Sequence, residues 1–139
     1  MAELPDGFDP HPARDASLAS MRAVETHDRD AWLAIFAPDA VVEDPIGVSP
    51  FDPEGTGHRG IEAIAAFYDN VVGPNEAVRF TLTASYAAGL EVANVGTIST
   101  TLPGGEVTVH TDTVVTYRVD DDGKIIALRS YWELDKVRV

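Results

Sequence analysis

Glu43 and Asp44 stand side by side in the run VVEDP at residues 41–45. Successive side chains of a strand point to opposite faces, so a strand entering Pro45 can turn only one of these carboxylates inward. The inward acid would serve as a base, because a carboxylate withdrawn from water has a raised pKa and accepts a proton more strongly than at the surface. The outward one should meet water. Other groups with acid–base or metal chemistry are scattered. His11, His27, His58 and His110 form neither an HExxH nor an HxH pair, so no metal is expected. His58 lies in a loop, where it is a candidate mouth residue, and His110 becomes an acid–base partner only if its strand face turns inward. Cysteine is absent, which removes thiol catalysis, disulfides and thiolate-ligated metals. LPGGE lies between strands rather than before a helix, and DPEGTGHRG lacks the lysine and hydroxyl residue of a P-loop, so neither cradles phosphate.

The elements that position these residues follow from periodicity. The first dozen residues, MAELPDGFDPHP, read as a flexible N-terminal arm, and residues 13–139 as a single domain. Leu18, Met21 and Val24 share a helical stripe within residues 13–26. Asp28 caps a short second helix, RDAWLAIF, that Pro38 ends. The strand AVVED follows and Pro45 stops it. Three prolines and four glycines in residues 45–60 predict a long irregular connection. GIEAIAAFYDNVV restores the helical period through Ile61, Ile64, Tyr68 and Val71. Alternation then takes over in four strands, the first with Val78, Phe80, Leu82, Ala84 and Tyr86 on one side. The turns LPGGE and VDDDGK make the last three strands a meander. Helices followed by a long antiparallel run define a segregated α+β domain, a conical barrel in which a strongly curved sheet wraps three helices around an apolar pocket.

Composition bounds the partners. A chain of 139 residues with 45 % hydrophobic residues suffices for one core. A formal charge of −13 repels phosphate backbones and anionic lipid, so neither nucleic acid nor a membrane surface is an expected partner. No apolar N-terminal segment resembles a signal or a span, which makes a cytoplasmic location the default expectation.

FAPDAVVEDPIG, HRGIEAIAAFY and YRVDDDGKIIALRSYW resemble the steroid Δ-isomerase (ketosteroid isomerase) group of the nuclear-transport-factor-two-like, or SnoaL-like, superfamily. The likeness runs from about Ala13 to Leu134 and is greatest to actinobacterial members. It implies the conical fold, no cofactor, a steroid or other fused-ring apolar ligand, and a homodimer formed through the outer sheet face. It places the general base on Asp44, which would carry a proton two carbons along a β,γ-unsaturated ketone. Ligand contacts are implied at Ser20, Met21, Phe36, Phe67, Tyr68, Val115, Tyr117 and Trp132, with core packing the competing role for the aromatic members. The chain also departs from the pattern. The family's helix 1 tyrosine falls on Ser20 and its late-strand aspartic acid on Val115, so both usual oxyanion donors are missing. Tyr68, Tyr117 and Asp112 are the possible substitutes. Two rivals to the isomerase therefore stand: a non-catalytic steroid or polycyclic-lipid binder, and a cyclase or epoxide hydrolase, which would need a further acid–base group near Asp44, with His110 and Asp112 as candidates.

Overall fold

The computed structural model describes residues 9–139. Most of the expected arm, residues 1–8, lies outside them. Helix α1 spans Pro12–Glu25, with proline at its first position, and His11 caps it: Nδ1 accepts from the Ala13 amide at 3.1 Å while Nε2 lies 2.9 Å from the Gly89 carbonyl. Its buried side is broader than the sequence stripe and made largely of small residues. Ala13, Ala16, Ser17, Ser20 and Ala23 join Met21 and Val24, whereas Leu18 is only half-buried. Small side chains let the helix approach the sheet closely.

Helix α2 covers Arg29–Ala34 under its Asp28 cap, and strand β1 runs Phe36–Glu43. The strand therefore begins before Pro38 rather than after it. Pro38 is exposed there, and the pairing register shifts between Phe36 and Val41, so its missing N–H breaks no ladder bond that β1 needs. Strand β2, His58–Arg59, corrects the expectation that residues 45–60 hold no regular structure. Gly57 and Gly60 bracket it with φ of +84° and +85°, and its two residues pair with Val42 and Val41 on an otherwise free edge. Helix α3 spans Ile61–Phe67 and widens into a π-turn over Tyr68–Val72.

Strands β3 (Ala77–Ala88), β4 (Glu91–Thr101), β5 (Thr108–Val119) and β6 (Ile125–Tyr131) complete one sheet in the order β2-β1-β6-β5-β4-β3. Only β1 and β6 run parallel. The expected face of β3 holds for Val78, Phe80 and Leu82 and then inverts. A register shift between Leu82 and Ala84 puts Ser85 inside and leaves Tyr86 67 % exposed. Opposite the shift sits Gly96, where a Cβ would lie 2.2 Å from the Thr81 carbonyl oxygen. Gly96→Ala is therefore expected to destabilise the protein by about 2–3 kcal/mol, since the obstacle is backbone, and a urea unfolding midpoint reads the loss. A similar shift near Val119 makes Ile125, not Ile126, the core residue at the start of β6.

The core lies between the helices and the inner sheet face, with Met21, Val42, Ile64, Val92, Val119 and Ile125 almost fully covered. Burial of each such side chain stabilises by roughly 1.5–3 kcal/mol. Packing is graded rather than uniform. Ile61, Val71, Phe80, Leu82 and Ile98 touch the core yet stay half-buried, so burial falls off away from the fully covered residues. At the free margin of β3 the Phe80 amide donates to Glu25 Oε2 at 2.9 Å, which ties that strand back to α1. No helix among the described residues is long and apolar enough to cross a membrane.

Candidate functional site

Residues 40, 42 and 44 share one parity of β1, and Ala40 and Val42 have no exposed surface. Val42 pairs with Leu128 and Glu43 with Arg129, so the next step brings Asp44 alongside inward-facing Ser130. The two adjacent acids part as the alternation requires. Glu43 turns outward, yet it does not meet open water: Arg129 Nε donates to its Oε1 at 3.2 Å and its side chain is only 12 % exposed. The loop closes over it, with Gly57 so near that an added Cβ would stand 3.0 Å from Glu43 Cγ.

Asp44 turns inward, where Trp132 Nε1 donates to its Oδ1 at 2.7 Å. Burial pushes its carboxyl above the usual carboxylate range, against the hydrogen bonds from Trp132 and Ser130 and the charge of His58, which pull the other way. Protein surrounds this carboxylate, yet the residue keeps some accessible surface, as does Trp132. Phe51, from the loop, lies 6.3 Å from the Trp132 ring and roofs it.

Deeper in the cone, Tyr117 and Val115 face inward together and are buried. The Tyr117 hydroxyl hydrogen-bonds Ser20, and its pKa is raised chiefly by burial and further by the Asp44 charge, so it stays a proton donor. Ser20 Oγ also accepts from Trp32 Nε1 at 3.0 Å. Met21, 1 % exposed, packs beside this set in the core. A chain of donors from Trp32 through Ser20 to Tyr117 thus occupies the region where the resemblance places the missing tyrosine and aspartic acid.

Phe36 and Tyr68 flank the outer side of Trp32, with ring centroids 4.7 and 5.4 Å from its own, and Phe67 lies 4.6 Å from the His58 ring. Tyr68 is buried, and the charges that act on its hydroxyl are those of Asp28 and Arg29 at the start of α2 and of Asp69 next to it in the π-turn, not that of Asp44. It therefore belongs to the helical packing, away from the carboxylate. His110 and Asp112 face outward on β5, as regular alternation requires. His110 Nδ1 meets Ser99 Oγ at 2.8 Å, and Asp112 accepts from Thr97 at 2.7 Å and Arg138 at 2.6 Å. Neither joins Asp44. A depression of about 490 Å³ bordered by Thr83, Thr97, Val114 and Tyr131 lies on that outer face, across the sheet from the carboxylate. Two contributors were not singled out for this site in the sequence, Trp32 and Ser130 as a donor to Asp44, while His58, read there as a candidate mouth residue in a loop, stands in a short strand beside β1.

Three helices packed on a six-stranded, mostly antiparallel sheet, with one carboxylate desolvated on the inner face, define the domain. The chain belongs to the SnoaL-like family, whose domain model matches residues 18–128. The Δ5-3-ketosteroid isomerase from Mycobacterium sp. is 45 % identical, with a TM-score of 0.86 over 92 % of this chain and 98 % of that one. Rv0760c from Mycobacterium tuberculosis, solved in complex with estradiol-17beta-hemisuccinate, is 38 % identical, with a TM-score of 0.87 over 94 % of this chain and 100 % of that one. A computationally designed 17-OHP binder is 36 % identical, with a TM-score of 0.86 over 92 % of this chain and 98 % of that one. The family resemblance read from the sequence and the conical α+β fold both hold.

Proposed function

We propose that this protein is a cofactor-free isomerase of steroid Δ5-3-ketones, with Asp44 as proton shuttle and the Tyr117–Ser20 pair in place of the usual oxyanion donors. The observation that carries this reading is the Asp44 carboxylate, desolvated yet accessible and held by Trp132 at 2.7 Å. Asp44 takes the proton between the carbonyl and the alkene, the electron pair passes into a dienolate, and the same carboxyl returns the proton two carbons further on. Charge then rests on the substrate oxygen, where a donor is worth most in a site closed to water. Tyr117 supports that role because it is buried, protonated and within the electrostatic reach of Asp44. The ketosteroid isomerase among the solved relatives and the steroid-complexed Rv0760c support the substrate class.

The test is appearance of conjugated-enone absorbance on incubation with 5-androstene-3,17-dione. Tyr117→Phe is expected to lower kcat about 10²-fold, the scale of losing one oxyanion donor. An unchanged kcat would return Tyr117 to a packing role. A non-catalytic steroid carrier is the second reading, favoured by serine and valine at positions 20 and 115. Saturable binding of a phenolic steroid without enone formation would select it. The cyclase or hydrolase reading loses its named acid–base partners, since His110 and Asp112 lie on the other face. We also infer that two copies pair through the outer sheet face, which carries Tyr86 and Tyr131 at 67 % and 52 % exposure; sedimentation as a monomer would exclude it.

A further inference from the structure

The pairing of β2 with β1 brings together two titratable groups that lie 14 positions apart in the chain. His58 stands opposite Val42, and cross-strand partners point to the same face, so its imidazole shares the inner face with Asp44, two residues beyond Val42. Gly57 and Gly60 fix this short strand, and Phe67 holds the ring at a centroid distance of 4.6 Å. The Nε2 atom of His58 is buried and has no hydrogen-bond partner among the described residues, a state that folded proteins seldom leave to a ring nitrogen.

We infer that His58 is a positioning residue for the base, set diagonally beside Asp44 across the β1–β2 pairing so that its charge bears on the ionisation of the carboxylate. The inference rests on reading Asp44 as the base. A protonated imidazole favours the carboxylate, and its neutral form withdraws that support. The other charges around the ring are turned elsewhere or already engaged. On β1, Glu43 points to the opposite face and pairs with Arg129. In the loop, Asp52 accepts from the Gly55 and Gly57 amides at 3.1 and 2.8 Å. Arg59, next in β2, is exposed and donates to the Thr56 carbonyl. Along α3 and its π-turn, Glu62 is exposed and Asp69 is bound by Arg29. Asp44 is thus the inner-face acid that His58 acts on.

The side-chain carboxyl carbon of Asp44, followed by NMR across pH, reads the coupling without any need for turnover. In His58→Gln, and in His58→Phe, which keeps a ring against Phe67, the Asp44 inflection is expected at higher pH than in the wild type. The acid limb of kcat/KM should move the same way, giving about threefold to tenfold slower isomerisation below it. An unmoved Asp44 midpoint in either folded variant overturns the inference. Were the enone assay silent in every form, the isomerase reading would fall while the titration still decided the coupling.

Discussion

Asp44→Asn is expected to slow conversion of 5-androstene-3,17-dione by about 10²- to 10⁴-fold, the range that a positioned base contributes. The same substitution should raise the melting temperature at neutral pH. Burial lifts the carboxyl's pKa in the folded state above its value in the unfolded chain. A group shifted in that direction contributes stability that is complete below the unfolded pKa and is lost as pH rises through the folded one. At pH 7 the wild type therefore carries an unfavourable buried charge that asparagine lacks, while the Trp132 indole still finds an oxygen to donate to. Below the pKa of an aspartate in the unfolded chain, about 3.9, the two proteins should converge, because the acid is then protonated in both states. Scanning calorimetry at both pH values checks the sign. A variant less stable than wild type at pH 7, or one that turns over at the wild-type rate, would remove Asp44 from its place in this account.

Trp132→Phe keeps an aromatic ring under Phe51 and deletes the N–H that meets Asp44. A hydrogen bond to a charged acceptor contributes about 1.5–3 kcal/mol. Its loss disfavours the ionised form, so the carboxyl's pKa climbs further and the acid limb of kcat/KM moves to higher pH. Below that limb the expected deficit is about tenfold or more, whereas the high-pH plateau should fall by no more than a few-fold. The pH dependence separates this from a packing defect, which would depress the rate equally at every pH. A pH-independent loss would mean that the indole shapes the cavity without tuning the base.

Local pattern sufficed wherever a single period decided the answer. Alternation shows that only one of residues 43 and 44 can enter the cone; the resemblance, not the parity, singles out Asp44, and the structure turns that side chain inward. Val115 and Tyr117 faced inward by the same rule, and Asp112 outward. The failures arise where one extra residue or one distant pairing enters. Tyr86 was grouped on one face with Val78, Phe80 and Leu82 because nothing local marks the irregularity between Leu82 and Ala84, across from which sits Gly96. Glu43 was read as solvated because the loop that covers it is recognisable only once Gly57 is seen against β1. His58 joined the site through a two-residue strand, too short for any periodicity to reveal. Tyr68 shows the opposite limit: its helical face was legible, but the direction of its hydroxyl depends on charges at the start of α2, about 40 positions upstream.

The margins of the sheet carry one more consequence. A strand left unpaired on one side is a template for self-templated growth whenever a molecule visits loosened states. At one margin His58 and Arg59 cover Val42 and Val41, and at the other Glu25 occupies the Phe80 amide. Each rim is thus interrupted at a defined point, where an incoming strand would meet a backbone already engaged.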